Sequence, residues 1–359
     1  MCQLACPGCV RSTRNEALRI FDWKSGTLAE TRFSALLRTY GPWAAGACLC
    51  NYGEPLLNLQ TPKLIRLCKS YLMAVSLSTS FSVQRFDAEA YVKSGLDFMN
   101  ISIDGATQET YEKYRRNGNI ELVFKNIRAL AETRRALGRN TPVMAWNFLA
   151  FEHNKHEIPL AAAKARELGV DQFRVIRPFA VDWDDPSVQI ATDVEDSLTR
   201  FNWLARMHMS QNWNPFPDSL ESAIIAQAFD EPVLPPEEPQ TPAQQGHSCA
   251  WLYKNMVMDA TGRVLPCCCA PQPGANMVFT HFDPASPEPF ADPFNSPRHQ
   301  QARAHFAGTA PPTDDAPYCT QCEWDHDKVN IGPSELWYYF HSVDPMLFDL
   351  RSLDLLTNW

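Results

Sequence analysis

From about residue 27 to residue 177 the chain alternates amphipathic helical stretches with short apolar runs, the pattern of βα units on a parallel sheet. Strands are expected at Ala47 to Asn51, Ala74 to Ser78, Phe98 to Ile103, Val143 to Leu149 and Gln172 to Ile176. Helices are expected over Pro62 to Leu72, Ala88 to Ser94, Ile120 to Leu137 and His156 to Leu168. The repeated unit predicts a barrel, complete or partial, and periodicity alone leaves an open doubly wound sheet as the alternative. From Gln211 to His247 the segments PFP, EPVLPPEEP and TPAQQG carry a proline density that no helix or central strand can hold, so this stretch reads as a linker. A Cys-rich segment to Cys322 and an aromatic, amphipathic helix around Ser334 to Phe348 follow.

The 359 residues suffice for one large domain with a small appendix. A net charge of -9 argues against a nucleic-acid surface, which needs clustered Lys and Arg. No long apolar run suggests a membrane span, and the N-terminus lacks the basic-then-apolar plan of a secretory signal, so a cytoplasmic protein with no membrane partner is expected. In a reducing compartment 12 cysteines are poor disulfide candidates; closely spaced ones read as metal or cluster ligands.

Cys2, Cys6 and Cys9 follow C-x3-C-x2-C and place three thiolates on one loop. Thiolates suit iron-sulfur clusters and zinc alike, so the spacing alone leaves both open. Two strand ends add chemistry: Asn51-Tyr52-Gly53-Glu54-Pro55, and Asn100-Ile101-Ser102-Ile103-Asp104-Gly105, the latter followed by Thr107-x-Glu109-x-Tyr111-x2-Tyr114-Arg115. Ligands of barrels bind at strand termini of this kind. Ser102 and Asp104 also admit a reading as helix caps, Asn154 reads as a helix N-cap, and Arg115 reads as a surface ion-pair partner. Cys48, Cys50 and Cys68 read as core thiols.

Together these features resemble the radical S-adenosylmethionine (SAM) superfamily, in particular its branch with a SPASM or twitch extension. The resemblance implies an α/β fold: a partial (β/α)6 TIM-like barrel with a small C-terminal Cys-rich α+β domain. It implies a radical SAM core over residues 1–210, lacking the strand that would precede Cys2, then a linker over 211–247, an auxiliary-cluster domain over 248–330 and a C-terminal helix over 331–359. Cys2, Cys6 and Cys9 would hold a 4Fe-4S cluster whose fourth iron binds SAM. Gly53 and Glu54 would receive the methionine amino group, Ser102 and Asp104 would approach the ribose, Asn154 would lie near the cofactor, and Val175 and Ile176 would flank adenine.

Cys249, Cys267, Cys319 and Cys322 supply a second set of four thiolates, the first two at the ends of a hairpin with strands around a turn at Asp259 to Gly262. Four thiolates suit a structural zinc or an iron-sulfur cluster. The resemblance favours one auxiliary 4Fe-4S cluster that accepts an electron, with Cys268 and Cys269 surplus. It implies an oxidoreductase that forms a 5′-deoxyadenosyl radical, abstracts hydrogen and dehydrogenates a sugar or cyclitol carbinol, with flavodoxin or ferredoxin as electron donor. A peptide maturase, or from another class a non-catalytic zinc or electron-carrier protein, is the alternative. His153, His156, Arg177 and Asp182 are candidate proton acceptors, and no sequence feature ranks them.

Overall fold

The computed structural model describes residues 1–9, 12, 26–44, 46–50, 53–178, 185, 187–201, 249, 252, 255–267, 277–283, 293–309 and 319. Five parallel strands form the main sheet in chain order: β1 (Gly46–Cys48), β2 (Ala74–Thr79), β3 (Phe98–Ser102), β4 (Val143–Leu149) and β5 (Gln172–Ile176). Between β1 and β5 run α2 (Thr61–Lys69), α3 (Ala88–Lys93), α4 (Gln108–Tyr114), α5 (Ile120–Ala136) and α6 (Ile158–Glu167), after an initial α1 (Glu30–Tyr40). A sixth strand, β6 (Ser197–Arg200), joins β5 antiparallel and was not expected from the sequence. Its polar, four-residue run carries no period-2 apolar signal.

Because side chains alternate across a strand, each strand has two faces, and here they differ sharply. Val75, Leu77, Met99, Ile101, Met144, Trp146, Phe173 and Val175 point to one side and merge with buried residues of α1, α2, α3, α5 and α6 in a single core. The Trp146 indole satisfies its N–H on the Ile103 carbonyl at 2.8 Å. On the other face stand Ser76, Ser78, Asn100, Ser102, Asn147 and Arg174, all half-buried. A doubly wound sheet would cover both faces with helices and carry apolar rows on both. One apolar and one polar face is the arrangement of a partial barrel whose concave side meets solvent or ligand, and the fold is a partial (β/α) barrel.

The helix starts are locally encoded. Asp87, Thr107 and Asn119 accept from the main-chain N–H three residues on, at the N-termini of α3, α4 and α5. Toward the C-terminus, β7 (Val257–Met258), β8 (Arg263–Leu265) and β9 (Thr280–His281) make an antiparallel sheet, followed by α7 (Pro297–Phe306). The expected hairpin is β7–β8; β9 is additional. Its turn is closed by the Asp259 carboxylate, which accepts from the Thr261 N–H and hydroxyl and from the Arg263 N–H and guanidinium. Gly262 sits at φ +95°, where a Cβ would stand 2.5 Å from the Phe282 carbonyl. Arg32 of α1 donates to the Ala260 carbonyl at 2.7 Å and ties this small sheet to the core. The linker over 211–247, Cys322 and the helix expected around Ser334 to Phe348 lie outside the described residues. Among the described residues no helix is long and apolar enough to cross a membrane.

Candidate metal and cofactor site

The loop bearing Cys2, Cys6 and Cys9 lies across the C-terminal ends of the strands and is pinned at several points. The Glu54 N–H donates to the Met1 carbonyl at 2.8 Å, the Gln3 amide donates to Ser80 Oγ and to the Ser82 carbonyl at 3.2 and 2.8 Å, and the Ala5 N–H donates to the Arg116 carbonyl at 3.0 Å. Within the loop a tight turn brings the Cys9 N–H to the Cys6 carbonyl, which also accepts from the Ser12 hydroxyl at 2.7 Å. Gly53 is required where it is: at φ +118° any Cβ would meet the Met1 carbonyl at 2.8 Å.

None of the three is in a disulfide, and all three border one apolar cluster with Leu4, Tyr114, Leu149, Phe151 and Val188. Cys6 is buried, and burial pushes its thiol up to about 12, against the pull of the nearby Arg115 charge. Thiolate ligands must lose their protons, and a metal supplies the compensating charge. Among the described residues no three His, Cys, Asp or Glu side chains converge closely enough for a single metal ion. Three cysteine side chains around one apolar wall fit a polynuclear cluster, whose ligands are spread wider than those of one ion, with one corner unclaimed by these three.

The acidic residues expected near the cofactor are deeply buried and fully engaged. Glu54 accepts from the Thr79 hydroxyl at 2.6 Å, the Ser80 N–H at 2.8 Å, the Ser80 hydroxyl at 2.6 Å and the Leu56 N–H at 3.2 Å. Burial raises its carboxyl above the usual range, and these donors pull it back. Its side chain joins the ends of β1 and β2, while Gly53 and the Glu54 main chain border the cysteine loop. Asp104 is fully buried. One oxygen accepts from the Leu149 N–H at 2.8 Å and the other from the Arg115 guanidinium. Burial raises its carboxyl, and Arg115 pulls it down.

Arg115 itself is a correction to the sequence reading. Its side chain is 14 % exposed, its Nη1 lies 4.0 Å from Cys6 Sγ, and its guanidinium stacks over the Tyr114 ring. Burial opposes its charge, but Asp104 overrides that, so the guanidinium stays protonated. Asn154 precedes a 3-10 turn without capping it through its side chain; instead its amide ties three main-chain groups together. Val175 and Ile176 point to opposite faces: Val175 is in the apolar core, and Ile176 is on the concave side. Of the three supposed core thiols only Cys68 is one, since Cys48 is exposed and Cys50 half-buried.

The polar concave ladder was missed by sequence reading. Register places Ser78 beside Asn100, and Ser102 beside Asn147, which adjoins Arg174. The Asn147 amide donates to Asn100 Oδ1 at 3.2 Å, while its own Oδ1 is buried with no partner. Arg174 donates to Gln172 Oε1 and stacks over Phe98. Period-2 polar residues in otherwise apolar strands were the available signal. Of the other candidates, His153 has both ring nitrogens buried without partners and stacks on Phe151, Arg177 is bound to Asp196 and the Thr192 carbonyl, and Asp182 lies outside the described residues.

At the second cysteine set, Cys319 is buried with Leu252, Phe279, Ala302 and Phe306, and Cys249 packs against the same cluster. Cys267 is half-buried just after β8, and Cys268 and Cys269 lie outside the described residues.

Curated relatives include a protein of Methanococcus maripaludis named probable GTP 3',8-cyclase, 27% identical over 169 residues, which are 47% of this chain and 53% of that protein. A GTP 3',8-cyclase of Lactiplantibacillus plantarum is 27% identical over 128 residues, covering 35% of this chain and 37% of its own. The chain thus spans about half or less of the length of these relatives. Among solved structures, Streptococcus suis SuiB bound to S-adenosylmethionine superposes with a TM-score of 0.48 at 14% identity, over 79% of this chain and 60% of that one. Residues 1–144, which carry the cysteine loop, Gly53, Glu54 and the Asp104–Arg115 pair, match the model of the radical SAM superfamily.

Proposed function

We propose that this chain oxidises a polar small molecule bound on the concave face of its barrel, starting from hydrogen abstraction. The observation that carries the reading is the juxtaposition of the Cys2, Cys6 and Cys9 loop with a ladder of Ser102, Asn147 and Arg174 beneath the same strand ends. When bound, a 4Fe-4S cluster and SAM together supply a 5′-deoxyadenosyl radical. Cys2, Cys6 and Cys9 would hold the cluster. Gly53 and the main chain of Glu54 would receive the methionine end of SAM, and Ser102 and Ile176, half-buried on the concave side, would face its ribose and adenine. Leu4, Tyr114 and Phe151 keep water from the thiolates.

The buried, unpartnered Asn147 Oδ1 calls for a donor, which a hydroxyl of a sugar or cyclitol supplies. Cys249, Cys267, Cys319 and Cys322 would hold an auxiliary cluster to take the second electron of a carbinol oxidation, the proton leaving to solvent or a nearby base. A second reading, cyclisation of a purine nucleotide, is favoured by the names of the relatives in Methanococcus maripaludis and Lactiplantibacillus plantarum. It shares the radical step and differs in net redox.

Anaerobic reconstitution with SAM and dithionite, in the presence of a sugar and cyclitol panel or of GTP, separates these readings by product mass. A product lighter by two hydrogens supports oxidation. A product isomeric with GTP supports cyclisation, and absence of 5′-deoxyadenosine refutes both.

A further inference from the structure

We infer that Arg115, held by Asp104, is a positioning and tuning residue that directs an N–H and a positive charge at the Cys6 sulfur and thereby sets the reduction potential of the cluster. The inference rests on the assignment of Cys2, Cys6 and Cys9 as cluster ligands and concerns a residue to which that assignment gives no role.

The geometry is specific. Arg115 ends α4, where its N–H still bonds the Tyr111 carbonyl. Its Nε engages Asp104 Oδ2 while Nη1 lies 4.0 Å from Cys6 Sγ. Asp104 cannot swing away, because its other oxygen is fixed by the Leu149 N–H at 2.8 Å and its carbonyl by the Asn154 amide at 3.0 Å. On the remaining side the Tyr114 ring, with its centroid 5.1 Å away, backs the guanidinium. A planar fork can satisfy a carboxylate along one edge and still present an N–H elsewhere, which a lysine ammonium on a flexible stem cannot do in the same way.

Burial gives the arrangement its force. The Asp104 side chain is 0 % exposed, so water cannot stand in for either partner. Reduction adds negative charge to a cluster and its sulfurs, and donors to those sulfurs favour the reduced form. Arg115 therefore raises the potential, bringing it closer to what a biological donor can deliver. Asp104 offsets part of that charge and fixes its direction.

The test is a potentiometric EPR titration of the reconstituted protein without SAM, in wild type, Arg115→Gln, Arg115→Lys and, as a nearby control, Arg116→Gln. Arg116 carries its charge to Asp185, further out. Arg115→Gln should lower the midpoint so that the reduced-to-oxidised ratio at fixed potential falls about tenfold, which is about 59 mV for a one-electron couple. Arg115→Lys should move it in the same direction, and Arg116→Gln should leave it in place. A wild-type midpoint in Arg115→Gln, or an equal shift in Arg116→Gln, overturns the inference. So does weakened SAM binding with an unchanged potential, which would make Arg115 a SAM-carboxylate holder instead.

Wild-type protein labelled with [15N]arginine gives a readout free of folding effects. Pulsed EPR of the reduced cluster should show a 15N coupling from a guanidinium, and its absence overturns the inference. If wild type assembles no cluster, the ligand assignment itself fails. If it assembles one that cleaves SAM without the shift or coupling, the tuning role alone fails.

Discussion

The Asn154 side-chain amide donates to the Asp104 carbonyl at 3.0 Å, joining the turn after β4 to the end of β3 across 50 residues of sequence. The same amide donates to the Leu149 carbonyl at 2.9 Å, and its oxygen accepts from the Phe151 N–H at 2.7 Å. Asn154 is fully buried, so removing the amide strands three main-chain groups away from water. Asn154→Ala should destabilise the fold by roughly 1–3 kcal/mol for each buried group left unpaired, less whatever water can enter to satisfy. Asn154→Asp should be at least as harmful, since a carboxylate would face two carbonyls. Urea unfolding checks both, and a midpoint equal to wild type would remove the clamp from the description of the site.

Glu157 offers a test by pH. Its carboxylate accepts from the Ala106 N–H at 2.6 Å, the Thr107 N–H at 3.2 Å and the Thr107 hydroxyl at 2.7 Å, at the N-terminus of α4. Burial would raise its carboxyl, but these donors more than offset that and hold it below the ordinary glutamate value of 4.5. Since the folded value is depressed, the stabilisation is present above the unfolded value and is lost as pH falls through the folded one. Glu157→Gln should therefore cost about 1 kcal/mol near neutrality, as capping carboxylates do, and the gap to wild type should close under acid. A gap that is constant from neutral pH into acid would contradict the ionised cap.

Glu54 holds the strand ends on which the cysteine loop rests. In Glu54→Ala both acceptors go: Oε1, which serves the Thr79 hydroxyl and the Leu56 N–H, and Oε2, which serves the Ser80 N–H and hydroxyl. Loss of those bonds should speed amide exchange at Ser80 about tenfold or more, given roughly 1–3 kcal/mol for a buried group left unsatisfied. Exchange at β5, on the far side of the sheet, should not change. Uniform acceleration would mean global destabilisation and no local strut.

The concave ladder should matter to substrate alone. Asn147→Leu should leave uncoupled 5′-deoxyadenosine formation within about twofold of wild type while abolishing its stimulation by the substrate that the product-mass experiment identifies. A factor of two is about 0.4 kcal/mol, well below the cost of stranding one hydrogen-bonding group. Equal loss of both rates would place Asn147 in cofactor binding.

What could be read from the sequence follows from range. β4 and β5 emerge with the expected limits, and α3 and α5 within one residue of them, because period and capping residues such as Asn119 are local signals. The grouping of Cys2, Cys6 and Cys9 on one loop was legible from spacing. The Thr79 and Ser80 partners of Glu54 lie 25 and 26 residues away along the chain, and Arg115 reaches Cys6 across 109, so their burial was invisible until the strands were placed in register. Ser102, Asn147 and Arg174 are ordinary polar residues one by one; parallel pairing makes them a ladder. β6 escaped because a short polar strand is distinguishable only by the neighbour it pairs with.

The most direct measurement is EPR of anaerobically reconstituted, dithionite-reduced protein, recorded with and without SAM, alongside Cys6→Ala. A 4Fe-4S signal that changes when SAM is added, accompanied by 5′-deoxyadenosine and absent from the N-terminal site of Cys6→Ala, is the expected result. A protein carrying zinc at that loop, or a cluster there whose signal is indifferent to SAM, would contradict the open metal corner among Cys2, Cys6 and Cys9.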